Sequence, residues 1–157
     1  MSDRIKHLEE EGDIAADYLV GLLDIADLDG DIDMDVENDR AAVSIVGADL
    51  SLLIGKKGEV LDALQELTRL AVTRETGERS RLMLDISGHR VKARQRLADI
   101  GKEAAEKALA SGEPVELKPM TAFERKVVHD AVADAGASSI SQGEEPNRRI
   151  VVQPKAE

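Results

Sequence analysis

The sequence predicts an α+β protein of two small modules. Three observations predict it. Apolar periodicity switches repeatedly between 3.6 and 2, glycines or turn residues punctuate the switches, and a long helical pattern opening at Gly88 divides the chain into two such sets. At 157 residues the chain is long enough for one domain or two small ones.

From Asp13 to Asp27, Ile14, Tyr18, Leu22 and Ile25 recur at helical spacing, with Leu19, Leu23 and Ala26 widening the stripe. Residues Asp31 to Glu37 alternate strictly, which predicts a strand with Ile32, Met34 and Val36 facing a core and the acids facing water. Asn38-Asp39 supplies a turn into a partner strand over Ala41 to Val46. Asp49 can cap a short helix running through Ile54. After Gly55-Lys56-Lys57-Gly58, a longer helix carries Val60, Leu64, Leu67 and Ala71 on one face and ends at Gly77. Arg81 to Ser87 reads as a third strand, with Leu82, Leu84 and Ile86 inward.

Gly88 opens the long helix, whose face is Ala93, Leu97, Ile100, Ala104 and Ala108, and which stops near Ser111-Gly112. Pro114 to Pro119 is extended. Thr121 and Glu124 form a capping box, so a helix starts there, and Gly136 ends it. Ser138 to Ser141 and Arg149 to Val152 are expected as strands around the turn Gly143 to Asn147. The order is α-β-β-α-α-β, then α-β-α-β-β, with the boundary near Gly88. Residues 1–12 and the last few after 154 are expected to be flexible tails.

Composition excludes several functions. With no cysteine, disulfides, thiolate metal sites and cysteine nucleophiles are ruled out, and a reduced cytoplasmic setting is expected. No apolar run is long enough for a membrane span, and the first residues are too acidic for a signal peptide. Aromatic residues are 1% of the chain, which removes most base-stacking platforms. The net charge of −11 lies entirely in residues 1–40, where 14 acids face three bases; the remainder is neutral. Within that remainder, Arg79 to Arg96 holds six bases against Asp85 alone. The global charge therefore does not exclude an anionic partner.

The turn Gly55-Lys56-Lys57-Gly58 lies between helices and follows Ile54. Two glycines let backbone approach phosphates, and the lysines and the following helix N-terminus attract them. An ordinary helix connector with solvated lysines is the competing reading. Arg125 and His129 share a face of the capped helix, a spacing that suits a phosphate contact or simply a surface pair. Arg148-Arg149 could extend that basic surface. Arg90 with Arg94, and Lys92 with Arg96, are further pairs that also suit a solvated helix face. The acids of Asp27 to Asp35 do not fit a calcium loop: counting from Asp27, the sixth position is Ile32 and the twelfth Asn38. No P-loop, dinucleotide glycine pattern or nucleophile elbow is present, so neither cofactor, metal nor catalysis is expected.

The run Leu53 to Gln65, centred on Gly55-Lys56-Lys57-Gly58, resembles the KH domain of the bacterial Jag family. Leu117 to His129, and Ser139 to Arg149 after it, resemble the Arg-x-x-x-His module that follows KH in that family. The resemblance covers roughly residues 13–154. It implies a type II KH domain over residues 13–87 and a small β-α-β-β module over 88–154 that includes the long joining helix, leaving 1–12 and 155–157 as tails. It further implies a non-catalytic protein that binds single-stranded RNA, with single-stranded DNA as a near alternative. Gly55 and Gly58 would allow approach, Lys56 and Lys57 would contact phosphates, and Ile54 would line a groove. Arg125 and His129 would meet phosphate or base, with Arg148, Arg149, Arg90 and Arg94 as neighbours. Kinship also implies a post-transcriptional role in cell elongation and division, and pairing with a small KH protein or a second copy. The rival expectation is an interaction adaptor, linked to such a partner or to the membrane-insertase system, in which RNA contact is incidental. Many members carry a further N-terminal domain where this chain has an acidic segment, and His89 stands where tyrosine is expected.

Overall fold

The computed structural model describes residues 2–154. They form an α+β protein of two compact units, which divide between Arg90 and Val91. Residues 155–157, expected as a tail, lie outside the described residues.

The first unit begins with α1 (Asp3–Ala26), far earlier than the apolar pattern predicts. Ser2 is the N-cap: its side chain accepts from the Ile5 amide at 3.3 Å, and Asp3 suits the positive end of the helix. The segment expected to be flexible is therefore helical. It is also anchored, since Leu8, Glu11 and Gly12 are buried. The Glu11 carboxylate accepts from the Ser80 hydroxyl at 2.5 Å, and the His7 ring bridges Glu11 and Glu78 at 3.2 and 3.0 Å. A pattern search misses this anchor because Leu8 is its one large apolar side chain and the rest is made of polar groups.

Strands β1 (Asp31–Glu37) and β2 (Arg40–Val46) form an antiparallel hairpin. Asn38 and Asp39, both at positive φ, make the two-residue turn that matches strand twist. The short helix α2 (Ser51–Ile54) and the 3₁₀ turn Lys56–Gly58 lead into α3 (Glu59–Thr76). The chain then returns as β3 (Met83–Ile86), parallel to β2, so the sheet order is β1-β2-β3. A helical crossover is what a parallel neighbour requires. This α-β-β-α-α-β order is the type II KH arrangement.

The core gathers Leu19 and Leu23 from α1, Val43 and Ile45 from β2, Leu61, Leu64 and Val72 from α3, and Leu82, Leu84 and Ile86 around β3. Two helix faces differ from expectation. On α1 the buried line is Ala15, Leu19 and Leu23, while Ile25 is 88% exposed. On α3 it is Leu61, Leu64, Thr68 and Val72, leaving Val60, Leu67 and Leu70 exposed. Thr68 is tolerated inside because its hydroxyl donates to the Leu64 carbonyl at 2.7 Å. Met34, expected inward on β1, is exposed, because this is an edge strand only partly covered by α1.

The second unit takes most of α4 (His89–Ser111), then β4 (Val115–Glu116), α5 (Ala122–Asp134), β5 (Ser138–Gln142) and β6 (Arg149–Gln153). The antiparallel sheet has order β4-β6-β5. Its core is aliphatic and small: Ala104, Ala105 and Ala108 of α4 with Val128, Val132, Ile150 and Val152. The α4 face is shifted slightly, so that Ile100 is exposed while Gly101 is buried. Both hydrogen bonds of the capping box form at the start of α5, Thr121 hydroxyl with Glu124 amide and Glu124 carboxylate with Thr121 amide.

Candidate nucleic-acid interface

The turn between α2 and α3 opens on a backbone conformation that side chains cannot follow. Gly55 lies at φ 73°, ψ −178°, a region essentially reserved for glycine. A Cβ there would also meet Val60 Cγ2 at 2.5 Å and the Val60 amide nitrogen at 3.0 Å. Lys57 and Gly58 both have positive φ. A Cβ on Gly58 would come within 2.8 Å of His89 Nε2, so the imidazole lies directly against the turn. Lys56 and Lys57 project from it, both exposed. Among the described residues neither lysine has an ion-pair partner. The result is a small-residue turn with two unneutralised ammonium groups at the entrance to an 18-residue helix. Ile54 is half-buried against the core beneath it.

The remaining candidates of the first unit are differently disposed. Arg90 is turned inward: its Nε donates to the Leu84 carbonyl at 2.6 Å, and its terminal nitrogens reach Asp62 at 3.0 Å and Gln65 at 3.3 Å. Arg94 belongs to the second unit and is exposed on α4. The two arginines thus do not act as the pair their spacing suggests.

In the second unit Arg125 is only 8% exposed. One terminal nitrogen donates to the Met120 carbonyl at 2.6 Å, and the other pairs with Glu145 at 2.9 Å. His129 places Nδ1 2.5 Å from the Ser139 hydroxyl and Nε2 3.0 Å from the Ser141 hydroxyl. Burial, reinforced by the Arg125 guanidinium and opposed by Asp130, lowers the His129 pKa below the ordinary histidine value. A neutral imidazole donates from one nitrogen and accepts at the other, and hydroxyls serve either need. Arg148 donates to the Gly143 carbonyl at 2.8 Å, and Arg149 pairs with Glu116. Arg125 and His129 therefore tie α5 to the turn after β5 and to β5 itself. Sequence spacing placed them on one face, and its reading as a surface pair missed their partners because Glu145, Ser139 and Ser141 lie 10–20 residues away along the chain.

A family model described as KhpA/KhpB, KH domain matches residues 13–84, and one for the Arg-x-x-x-His, or R-three-H, domain matches residues 95–154. A Clostridium symbiosum protein named RNA-binding protein KhpB is 31% identical over 157 residues, which is 98% of this chain and 71% of that protein. The chain belongs to the KhpB family. A Bacillus subtilis protein of the same name is 33% identical over 131 residues, covering 80% of this chain and 63% of its own length. The Lactiplantibacillus plantarum protein of that name is 30% identical over 137 residues, 87% of this chain and 42% of its own. This chain thus corresponds to a part of those KhpB proteins that varies from under half to about seven-tenths. The Gly55–Gly58 turn falls within the KH match, and Arg125 and His129 fall within the R-three-H match. Among the described residues no helix is long and apolar enough to cross a membrane, and no cluster of potential ligands could hold a metal ion.

Proposed function

We propose that this KhpB-family chain is a non-catalytic protein that binds single-stranded RNA through phosphate contacts at the Gly55–Gly58 turn. One observation carries the reading: among the described residues Lys56 and Lys57 stand exposed and without an ion-pair partner on a turn whose backbone at Gly55 admits no side chain. Phosphate is the ligand such a turn suits, because its two exposed ammonium groups can reach one without breaking an ion pair, although the Gly55 and Gly58 amides already donate to the Ser51 and Gly55 carbonyls. The names of the relatives support RNA as the source of that phosphate. Lys56, Lys57 and the exposed Arg94 are the open cations of the candidate set, with Ile54 beneath the turn. Arg90, Arg125, Arg148 and Arg149 have internal partners and act by holding surfaces in shape. An RNA ligand would put the protein in the cytoplasm, and regulation of transcripts for cell elongation and division is the role kinship favours.

The test is fluorescence anisotropy of a mixed-sequence single-stranded RNA with wild type and with Lys56→Asp/Lys57→Asp, both checked by circular dichroism. Binding lost in the folded double variant supports the reading. Undiminished binding would move the site to the second unit, and wild-type binding absent even at low salt would end the RNA reading.

A second reading, an adaptor that pairs with a small KH protein or with itself, is favoured by the exposed Val60, Leu67 and Leu70 of α3. Sedimentation of wild type and Leu67→Glu/Leu70→Glu tests it: a dimer reduced to monomer by the substitutions supports it, and a monomeric wild type removes the self-pairing form.

A further inference from the structure

A strand at a sheet edge presents N–H and C=O groups to any ligand that can pair with them. Strand β3 is such an edge, and it ends beside the lysine turn, since His89, three residues after its end, packs against Gly58. Its outward groups would be natural partners for the hydrogen-bonding edges of bases whose phosphates lie on Lys56 and Lys57. None of the four that can be traced is open. The Leu82 carbonyl accepts from Arg69 Nε at 2.8 Å, and the Leu84 amide donates to Gln65 at 3.0 Å. The Leu84 carbonyl accepts from Arg90 Nε at 2.6 Å, and the Ile86 amide donates to Asp85 at 2.8 Å. Asp62 and Gln65 of α3 then grip the far end of the Arg90 guanidinium.

We propose that Gln65, Arg69 and Arg90 set the specificity of the first unit: by sealing the β3 edge they exclude base readout, so the single strand is held by its phosphates alone. This rests on the phosphate reading of the turn given above. Phosphate contacts fix position and register but carry no sequence information; base-edge contacts do. Arg90 is already bonded to Asp62, Gln65 and Leu84, so it adds no phosphate contact despite its charge. The seal is made of side chains, and shortening them should open it without touching the turn.

The full chain is titrated with short oligouridylate and oligoadenylate while the Leu84 amide is followed by NMR. In the wild type RNA should bind with little preference between the two and leave the Leu84 amide unmoved. In Gln65→Ala/Arg90→Met the Leu84 amide should become RNA-sensitive, and a preference of about tenfold or more should appear, as one well-made pair of base hydrogen bonds supplies. The salt slope should stay as in wild type. If Arg90 instead contacts phosphate, the slope shrinks by about 0.7, which overturns the proposal. A Leu84 amide that responds to RNA in the wild type also overturns it, and that measurement needs no variant to fold. A folded double variant without new preference does so too. Failure of the wild type to bind either oligonucleotide would overturn the phosphate reading itself, and this proposal with it.

Discussion

Two glycines separate local conformation from space. Gly55 combines a backbone region closed to other residues with a collision against the Val60 amide, an atom that cannot swing aside. Gly55→Ala should therefore lower stability by about 1–3 kcal/mol in urea unfolding. Gly21 lies inside α1 with nothing near its missing side chain, so Gly21→Ala should raise stability by about 0.5–1 kcal/mol. His129 makes a third residue-level case. Its pKa is lowered in the folded state by burial first and Arg125 second, so below the ordinary histidine range the unfolded chain takes up a proton that the folded one resists. Its contribution is complete above about pH 6.5 and is lost as pH falls below it. The stability difference between wild type and His129→Asn, followed by urea unfolding from neutral to mildly acidic pH, should shrink on acidification. A constant difference would mean the ring is not held neutral.

At the scale of elements, type was legible and facing was not. Strict alternation marked β1, and the Thr121–Glu124 box marked the start of α5. The rotation of α1 and α3 escaped because both carry apolar residues around more than half their circumference. The sheet, and not the stripe, then selects the line that packs. On α3 the chosen line includes Thr68, which a hydrophobic pattern discounts. Leu61→Ala should accordingly cost about 2–5 kcal/mol, whereas Leu67→Ala should stay within about 0.5 kcal/mol. Thermal or urea unfolding distinguishes them, and the ranking from periodicity alone would be the reverse. The start of α1 escaped for a different reason: the buried Glu11 is satisfied by Ser80, far along the chain, as well as by His7.

For the molecule as a whole, charge is divided along the chain. The acids of residues 1–40 lie on α1, β1 and the turns that follow them, with Asp31, Asp33, Asp35 and Glu37 all exposed. Of the basic segment Arg79 to Arg96, Arg90 is the member that meets a carboxylate among the described residues, and of the nominated arginines further along, Arg125 and Arg149 do so too. Local spacing could nominate these arginines but could not reveal partners supplied by other elements. Lys56 and Lys57 were legible because a turn between two glycines has few ways to bury a neighbour. What survives folding as open positive charge in the first unit's candidate set is this one turn, and RNA capture as proposed depends on it. The most direct test is the salt dependence of RNA affinity in wild type and in the charge-neutral variant Lys56→Gln/Lys57→Gln. Each phosphate contact contributes about 0.7 to the slope of log K against log salt for a single strand. Loss of both lysines should reduce the magnitude of that slope by about 1.4; parallel lines for the two proteins would contradict phosphate capture at the turn.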